Sequence, residues 1–392
     1  MKIGIVTFVK CDNYGAELQA YALQKKLNCL GYDVEVVDME KETGVLEGSF
    51  STYKNAIVNR YRQFGLFKGT KKVIQLVIDK YQSKKAYKKN QDKVKKKHEV
   101  FNNFFYQEIR HSDKFYTLNE LRNIPKMPYD VLIAGSDQIW NYMQTHYLDV
   151  FFLMMANKWG AKKISYAASF SVSAIPDELK ARYKTYIDNM DSISVRELNG
   201  VDIVKECADR DASLVLDPTL LLNREEWNQN LAIEDYLPKE KKYVVIYTLS
   251  GSHYIYSLAK KIASHYGVEI INIKSGFSKV KGDDGIIHIC DAGPREFISI
   301  YSHAIYVITD SFHGTAFSVN FNIPFTTLLN PASNINSRAL SILKLTETED
   351  RLIYDDGTNS EPKSLSMDFT NVNEIISKWR RKSLDFIRES LG

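Results

Sequence analysis

The chain has 392 residues and a net charge of +4, with 44% hydrophobic and 26% charged residues, the composition of a globular protein long enough for two or three domains. No apolar run approaches the ~18–20 residues of a membrane helix; the longest, Val150–Ala156, is far shorter, and the start MKIGIVTFVK lacks a signal peptide's long apolar region, so a cytoplasmic protein is expected. The four cysteines (Cys11, Cys29, Cys207, Cys290) form no C-x-x-C pair, which argues against a disulfide framework and against a zinc site.

Lys2–Val9 is a β-branched, strand-like run, followed by a polar loop and a helix from about Ala16 to Leu30 that Gly31 ends. Val34–Asp38 is the next strand, completing a β-α-β unit and predicting a parallel sheet. Residues 50–125 read as a helical insertion, with a buried stripe at Val73, Ile74, Val77 and Ile78 and a lysine-rich stretch to Lys97. Residues 54–110 carry 16 Lys+Arg against 4 Asp+Glu, which suits either a solvated helical face or an anionic partner. Strands resume at Tyr129–Ala134, Lys163–Ala167, Ser192–Val195 and Ser213–Leu216, and Asp217–Pro218 closes the first α/β unit.

A second series begins at Tyr243–Thr248, with a helix at about Tyr254–Tyr266, strands Glu269–Ile273 and Ile286–Ile289, and a helix Pro294–Ser302. Strand Ala304–Thr309, a helix from Gly314 to Asn320, strand Pro324–Thr327 and an amphipathic helix Asn373–Leu391 follow. The expected architecture is α/β: a Rossmann-like lobe over 1–225, interrupted by the insertion, and a second over 226–392, facing a cleft. Ligands of such sheets sit beyond the carboxyl ends of the strands, so the turns there are the places to look for chemistry.

Four such turns stand out. Thr309–Thr315 places His313, a group titrating near neutral pH, beside Ser311, Gly314 and Thr315 at a helix start, where backbone N–H groups favour anions. The competing reading is an N-cap at Asp310 or Ser311 with a packed histidine. Gly135–Asn141 offers Ser136, Gln138 and Asn141 as hydrogen-bonding groups and Asp137 as a proton acceptor, or else a capped turn. Asp12–Gln19 lacks the G-x-G-x-x-G spacing of a dinucleotide site; Asn13, Tyr14 and Gly15 there suit a sugar or phosphate, or an ordinary turn. Arg196 is either a bidentate anion clamp or an ion pair with Glu197 or Asp191, and spacing alone favours the pair; Arg338 is a second candidate. The 24 tyrosines fit sugar stacking or plain packing.

At these residues the chain resembles the polysaccharide pyruvyl transferase family. The matching pieces are DNYGAELQAYAL (Asp12–Leu23), YDVLIAGSDQIWN (Tyr129–Asn141), SYAASF (Ser165–Phe170), SVRE (Ser194–Glu197), LDPTLLL (Leu216–Leu222) and TDSFHGTAFSVNFNIPF (Thr309–Phe325). The resemblance implies a two-lobed, GT-B-like fold. It also implies transfer of a pyruvyl group from phosphoenolpyruvate to two hydroxyls of a sugar, giving a cyclic ketal in surface polysaccharide biosynthesis. It places the family's functional histidine on His313 and its anion-binding arginine on Arg196. Some members carry an arginine two residues before the histidine; Ser311 stands there in this chain, leaving Arg338 or Lys274 to supply that donor. On this reading His313 and Asp137 do the proton chemistry, and the Asp12–Gly15 and Gly135–Asn141 turns hold a sugar or glycan acceptor, free or lipid-linked. No metal or cofactor beyond phosphoenolpyruvate is expected, nor any nucleic acid, and residues 54–110 are a candidate contact with an anionic membrane. A nucleotide-sugar glycosyltransferase and a non-catalytic glycan- or membrane-binding protein are the alternative readings.

Overall fold

The computed structural model describes residues 1–41, 90–158, 160–238, 240–274, 283–331, 336–358 and 360–392. The stripe at Val73–Ile78 and most of the basic segment lie outside the described residues, as do residues 332–335.

The first sheet is built from β1 (Lys2–Val6), β2 (Asp33–Val36), β3 (Val131–Ala134) and β4 (Lys162–Ser165), in the order β2-β1-β3-β4. All three pairings are parallel. A short parallel pair, β5 (Ser194–Val195) and β6 (Ser213–Leu214), extends it through bridges Ile164↔Ser192 and Ala168↔Val195. The second sheet contains β7 (Tyr243–Thr248), β8 (Glu269–Lys274), β9 (Ile287–Ile289), β10 (Tyr306–Thr309), β11 (Phe325–Leu329) and β12 (Leu352–Tyr354). Its order is β12-β11-β10-β7-β8-β9, again all parallel. The inner strands are β-branched and aromatic because helices cover both faces; every residue of YVVIYT in β7 is buried.

Strand order reverses between β1 and β3 in the first sheet and between β7 and β10 in the second. Chains leaving adjacent strands there turn to opposite faces and open a crevice. The four turns singled out from the sequence lie at strand carboxyl ends, three of them after β1, β3 and β10.

The helix Tyr14–Cys29 starts two residues earlier than its spacing suggests, because Asn13 accepts the backbone N–H groups of Gly15 and Ala16. The helix expected from Gly314 begins at Phe312, which puts His313 inside its first turn. Strand β12 is an element that the pattern did not reveal. The described part of the insertion contains helix Gln91–Glu108, which buries Phe101, Phe104 and Phe105, and helix Leu118–Asn123, closed by a Thr117/Glu120 capping box. Bridges Val36↔His111 and Met39↔Tyr116 tie the segment between them to the edge of the first sheet.

The lobes share one hydrophobic core. Tyr14 stacks on Phe297 at 4.6 Å and meets Tyr247 edge-on, and its hydroxyl donates to the Ala292 carbonyl at 2.8 Å. Helix Gln91–Glu108 spans the same seam: Lys96 pairs with Asp291 at 2.7 Å, and Glu108 with Arg295. The terminal helix Thr370–Leu391 touches both lobes. Ser383 Oγ accepts the Leu216 N–H, and Arg380 donates to the Leu220 carbonyl and to Asn320 Oδ1.

Candidate active site

A cavity of about 510 Å³ lies where the two carboxyl edges face each other. The first lobe contributes Asn13, Asp137 and Gln138. The second contributes Ser250 and Ser252 after β7, Asp310–His313 after β10, Asn330, Asn336 and Arg338 after β11, and Asp355 after β12.

His313 reaches it through two close backbone approaches. A Cβ on Gly314 would lie 2.1 Å from Thr309 Oγ1, so glycine lets the helix start sit directly on the end of β10. A Cβ on Gly15 would lie 2.0 Å from His313 Nδ1, so the imidazole packs flat against the first helix of the other lobe. His313 is 6% exposed, and its Nε2 makes no hydrogen bond. Burial lowers its pKa to about 4; Asp217, with Oδ2 4.0 Å from Nε2, opposes this, and Arg196 adds to it. The imidazole is therefore neutral at neutral pH.

Beneath the histidine lies a buried ion network. Arg196 donates to Asp217 Oδ2 at 2.7 Å, to Asp137 Oδ1 at 3.1 Å and to Ser136 Oγ at 3.3 Å, and its guanidinium covers the Phe312 ring at 4.6 Å. Burial works against its charge, but Asp217, Asp137 and Glu197 outweigh burial and raise its pKa. Asp217 is held at about 2: burial pushes it up, and Arg196 and His313 pull it down further. Thr219 donates to the same carboxylate through its N–H and its hydroxyl. Asp137 has φ +75°, a left-handed conformation costing ~1–3 kcal/mol. The Ser169 N–H to its carbonyl and the bridge to Ala168 hold it there. Arg196 is thus the buried partner of three carboxylates and does not line the cavity. The ion pair that spacing favours is present, with Glu197 at 3.9 Å; the anion clamp that the resemblance implies is not free, because an anion would have to compete with charges already at contact distance.

Among the described residues, Arg338 is the cation that lines the cavity. It is 9% exposed, its Nε has no partner, and burial, with Arg196 next, lowers its pKa to about 10. Lys274, the other candidate, ends β8 and lies 3.9 Å from Asp283, away from the cavity lining.

Of the remaining candidates, Asn13, Asp137, Gln138 and Ser311 line the cavity. Tyr14 is buried in the seam and Gly15 underlies His313. Ser136 joins the Arg196 network, and Asn141 accepts the Met143 N–H. Thr315 bonds to the Ser311 carbonyl and to Thr327, inside the fold. Ser311 is the N-cap residue but makes no side-chain cap. Asp310, the other expected cap, accepts from the Leu249 and Ser250 N–H groups and from the Thr248 and Ser250 hydroxyls, which ties the β7 turn across the switch point.

Asp217, read as a domain-closing turn and as part of the LDPTLLL piece, was given no role, and Ser250, Ser252 and Asp355 were passed over. An acid at the end of the apolar run SLVL was the available signal for Asp217. The other three sit in short polar turns with none. Among the described residues no three His, Cys, Asp or Glu side chains converge to hold a metal ion. No described helix is long and apolar enough to cross a membrane.

A solved UDP-N-acetylglucosamine 2-epimerase superposes with a TM-score of 0.52 at 10% identity, covering 98% of this chain and 94% of that one, which supports the two-lobed GT-B-like fold. The Neisseria meningitidis UDP-GlcNAc 2-epimerase bound to UDP-GlcNAc gives 0.48 at 9% identity, covering 100% and 94%. The E. coli ADP-heptose heptosyltransferase II gives 0.38 at 10% identity, covering 98% and 100%. No curated protein matches the chain. The model of the polysaccharide pyruvyl transferase family matches residues 13–331, most of the chain and every element of the cavity up to β11. The chain belongs to the polysaccharide pyruvyl transferase family.

Proposed function

We propose that the protein transfers the pyruvyl group of phosphoenolpyruvate onto two hydroxyls of a sugar, forming a cyclic ketal and releasing inorganic phosphate. One observation carries this reading. Arg338 and His313, each with a buried nitrogen (Nε and Nε2) that makes no hydrogen bond, line one cavity beside the first turn of a nine-residue helix. Such a cluster suits a small dianion bearing both phosphate and carboxylate.

The donor's negative charge beside His313 favours the imidazolium and raises its pKa from the low value set by burial. The imidazolium gives its proton to the methylene carbon, and the neighbouring carbon becomes an oxocarbenium. The first sugar hydroxyl adds there and loses its proton to the now neutral His313. The C–O bond to phosphate then breaks, and phosphate leaves carrying that proton. The second hydroxyl closes the ring, and its proton restores the imidazolium. One proton goes to carbon and one to phosphate, matching the two lost by the diol. Arg196 and Asp217 position His313 and supply no step. Asp137, whose Oδ1 is engaged by Arg196, lines the cavity on the His313 side.

Calorimetry with phosphoenolpyruvate and with UDP-GlcNAc tests the reading. Binding of phosphoenolpyruvate, weakened at least tenfold in Arg338→Met, and acceptor-dependent phosphate release lost in His313→Ala are expected. Binding of the nucleotide sugar with none of phosphoenolpyruvate overturns the reading.

A further inference from the structure

His313 lies on Gly15 with its Nε2 4.0 Å from Asp217, and the helix that carries Arg338 (Ser337–Leu345) meets the first lobe where Ser341 Oγ accepts the Leu198 N–H, so both cation sites lie against that lobe. The second-lobe end is built differently. The turn after β7 crosses the ends of β10 and β11, because Asp310 binds its start and Asp355, after β12, accepts from Ser252 Oγ. All four oxygen contacts of Asp310 go to this turn, so that carboxylate only positions it. Asp355 differs: Ser252 engages Oδ2, and Oδ1 has no partner among the described residues. Ser250 is exposed at the same wall, and Leu249, 56% exposed, adds an apolar surface.

We propose that this wall (Ser250, Ser252 and Asp355) is the acceptor subsite and that it selects an uncharged sugar diol. The proposal rests on the pyruvyl-transfer reading and relocates the acceptor, since the sequence pointed to the first-lobe turns. A carboxylate with a free oxygen accepts hydrogen bonds from sugar hydroxyls, serines complete the pattern, and Leu249 suits the CH face of a pyranose. Asp355, with Asp310 beside it, repels a phosphate or carboxylate at that end, so the anionic donor is confined to the Arg338 side and the acceptor enters neutral.

The test measures phosphate release from phosphoenolpyruvate with methyl glucoside, galactoside and mannoside, and with the 6-phosphates of glucose, galactose and mannose. Asp355→Asn and Ser252→Ala should raise KM for the best methyl hexoside at least tenfold. They should leave the Kd of phosphoenolpyruvate within twofold and the melting temperature near wild type. The 6-phosphates should be poor acceptors, and relatively better ones for Asp355→Asn. An unchanged acceptor KM in both variants, or an equal loss of donor affinity, overturns the subsite. If phosphoenolpyruvate does not bind the wild type, the pyruvyl reading fails by itself. Saturation-transfer NMR of the methyl hexosides on wild type and Asp355→Asn then still decides the subsite: loss of the signal in the variant supports it, and equal signals overturn it.

Discussion

Replacing Gly15 by alanine asks whether the contact between the lobes sets the position of the histidine. The new Cβ would lie 2.0 Å from His313 Nδ1, 2.3 Å from Cε1 and 2.6 Å from Cγ, where ordinary contact begins at 3.4 Å. The ring must move by about 1.4 Å, since Gly15 is fixed in a helix at the seam. A misplacement of ~1 Å at a reacting group costs about 100-fold in rate, or ~2.7 kcal/mol of transition-state stabilisation. Stability responds differently. Alanine gains about 1 kcal/mol over glycine inside a helix, and overpacking costs about 1–3 kcal/mol, so the net loss is only about 0–2 kcal/mol. Gly15→Ala should therefore fold, melt within a few degrees of wild type, and lose about 100-fold in kcat for phosphate release. A variant with kcat within threefold of wild type and an unchanged melting temperature would refute the reasoning.

Arg196→Met leaves Asp217 and Asp137 buried without their cation, and should cost about 3–5 kcal/mol in urea denaturation. Arg338→Met removes a buried cation that lacks a partner at Nε, so stability should hold or rise by about 1–3 kcal/mol while donor affinity falls at least tenfold; a loss of both would show that Arg338 is structural. His313 has a folded pKa of about 4 against 6.5 for the free side chain, so the unfolded chain binds its proton first as pH drops. Stability is then complete above about 6.5 and declines toward 4, and between pH 7 and pH 5 wild type should lose about 2 kcal/mol more than His313→Gln. Tyr14→Phe deletes the hydroxyl bond to the Ala292 carbonyl and should cost about 1 kcal/mol in the same assay.

The sheets were legible because their strands are buried on both faces and so appear as unbroken β-branched and aromatic runs, as in YVVIYT and YDVLIA. β12 was not, because three residues, LIY, carry no period and depend on β11 to become a strand. The histidine was legible for a local reason: it follows an apolar strand by a few residues. The pairing of Arg196 with Glu197 was legible from spacing, but its trapping by Asp217 and Asp137 was not, because these stand 21 and 59 residues away and meet it only through sheet order. The competing reading of Asp310 as a helix cap fails for the complementary reason. Asp310 has the residue type and spacing of a helix cap, yet its carboxylate finds better donors on the neighbouring β7 turn. Gly15 carried the least signal, since nothing nearby in the sequence says that a histidine from the other lobe will lie on it.

The continuous core between the lobes constrains how the protein handles its molecules over time. Tyr14, Phe297 and Tyr247 form a buried aromatic joint, flanked by the Gln91–Glu108 helix and spanned again by the terminal helix. Swinging the lobes apart would expose that joint to water at ~25 cal/mol for each Å² of apolar surface. Rigid-body gaping is thus a costly route to turnover, and the rim turn at Leu249–Ser252 is itself tied down by Asp310 and Asp355. Exchange of substrates and products is then governed by the width of the mouth, and the two lobes should melt as a single cooperative unit.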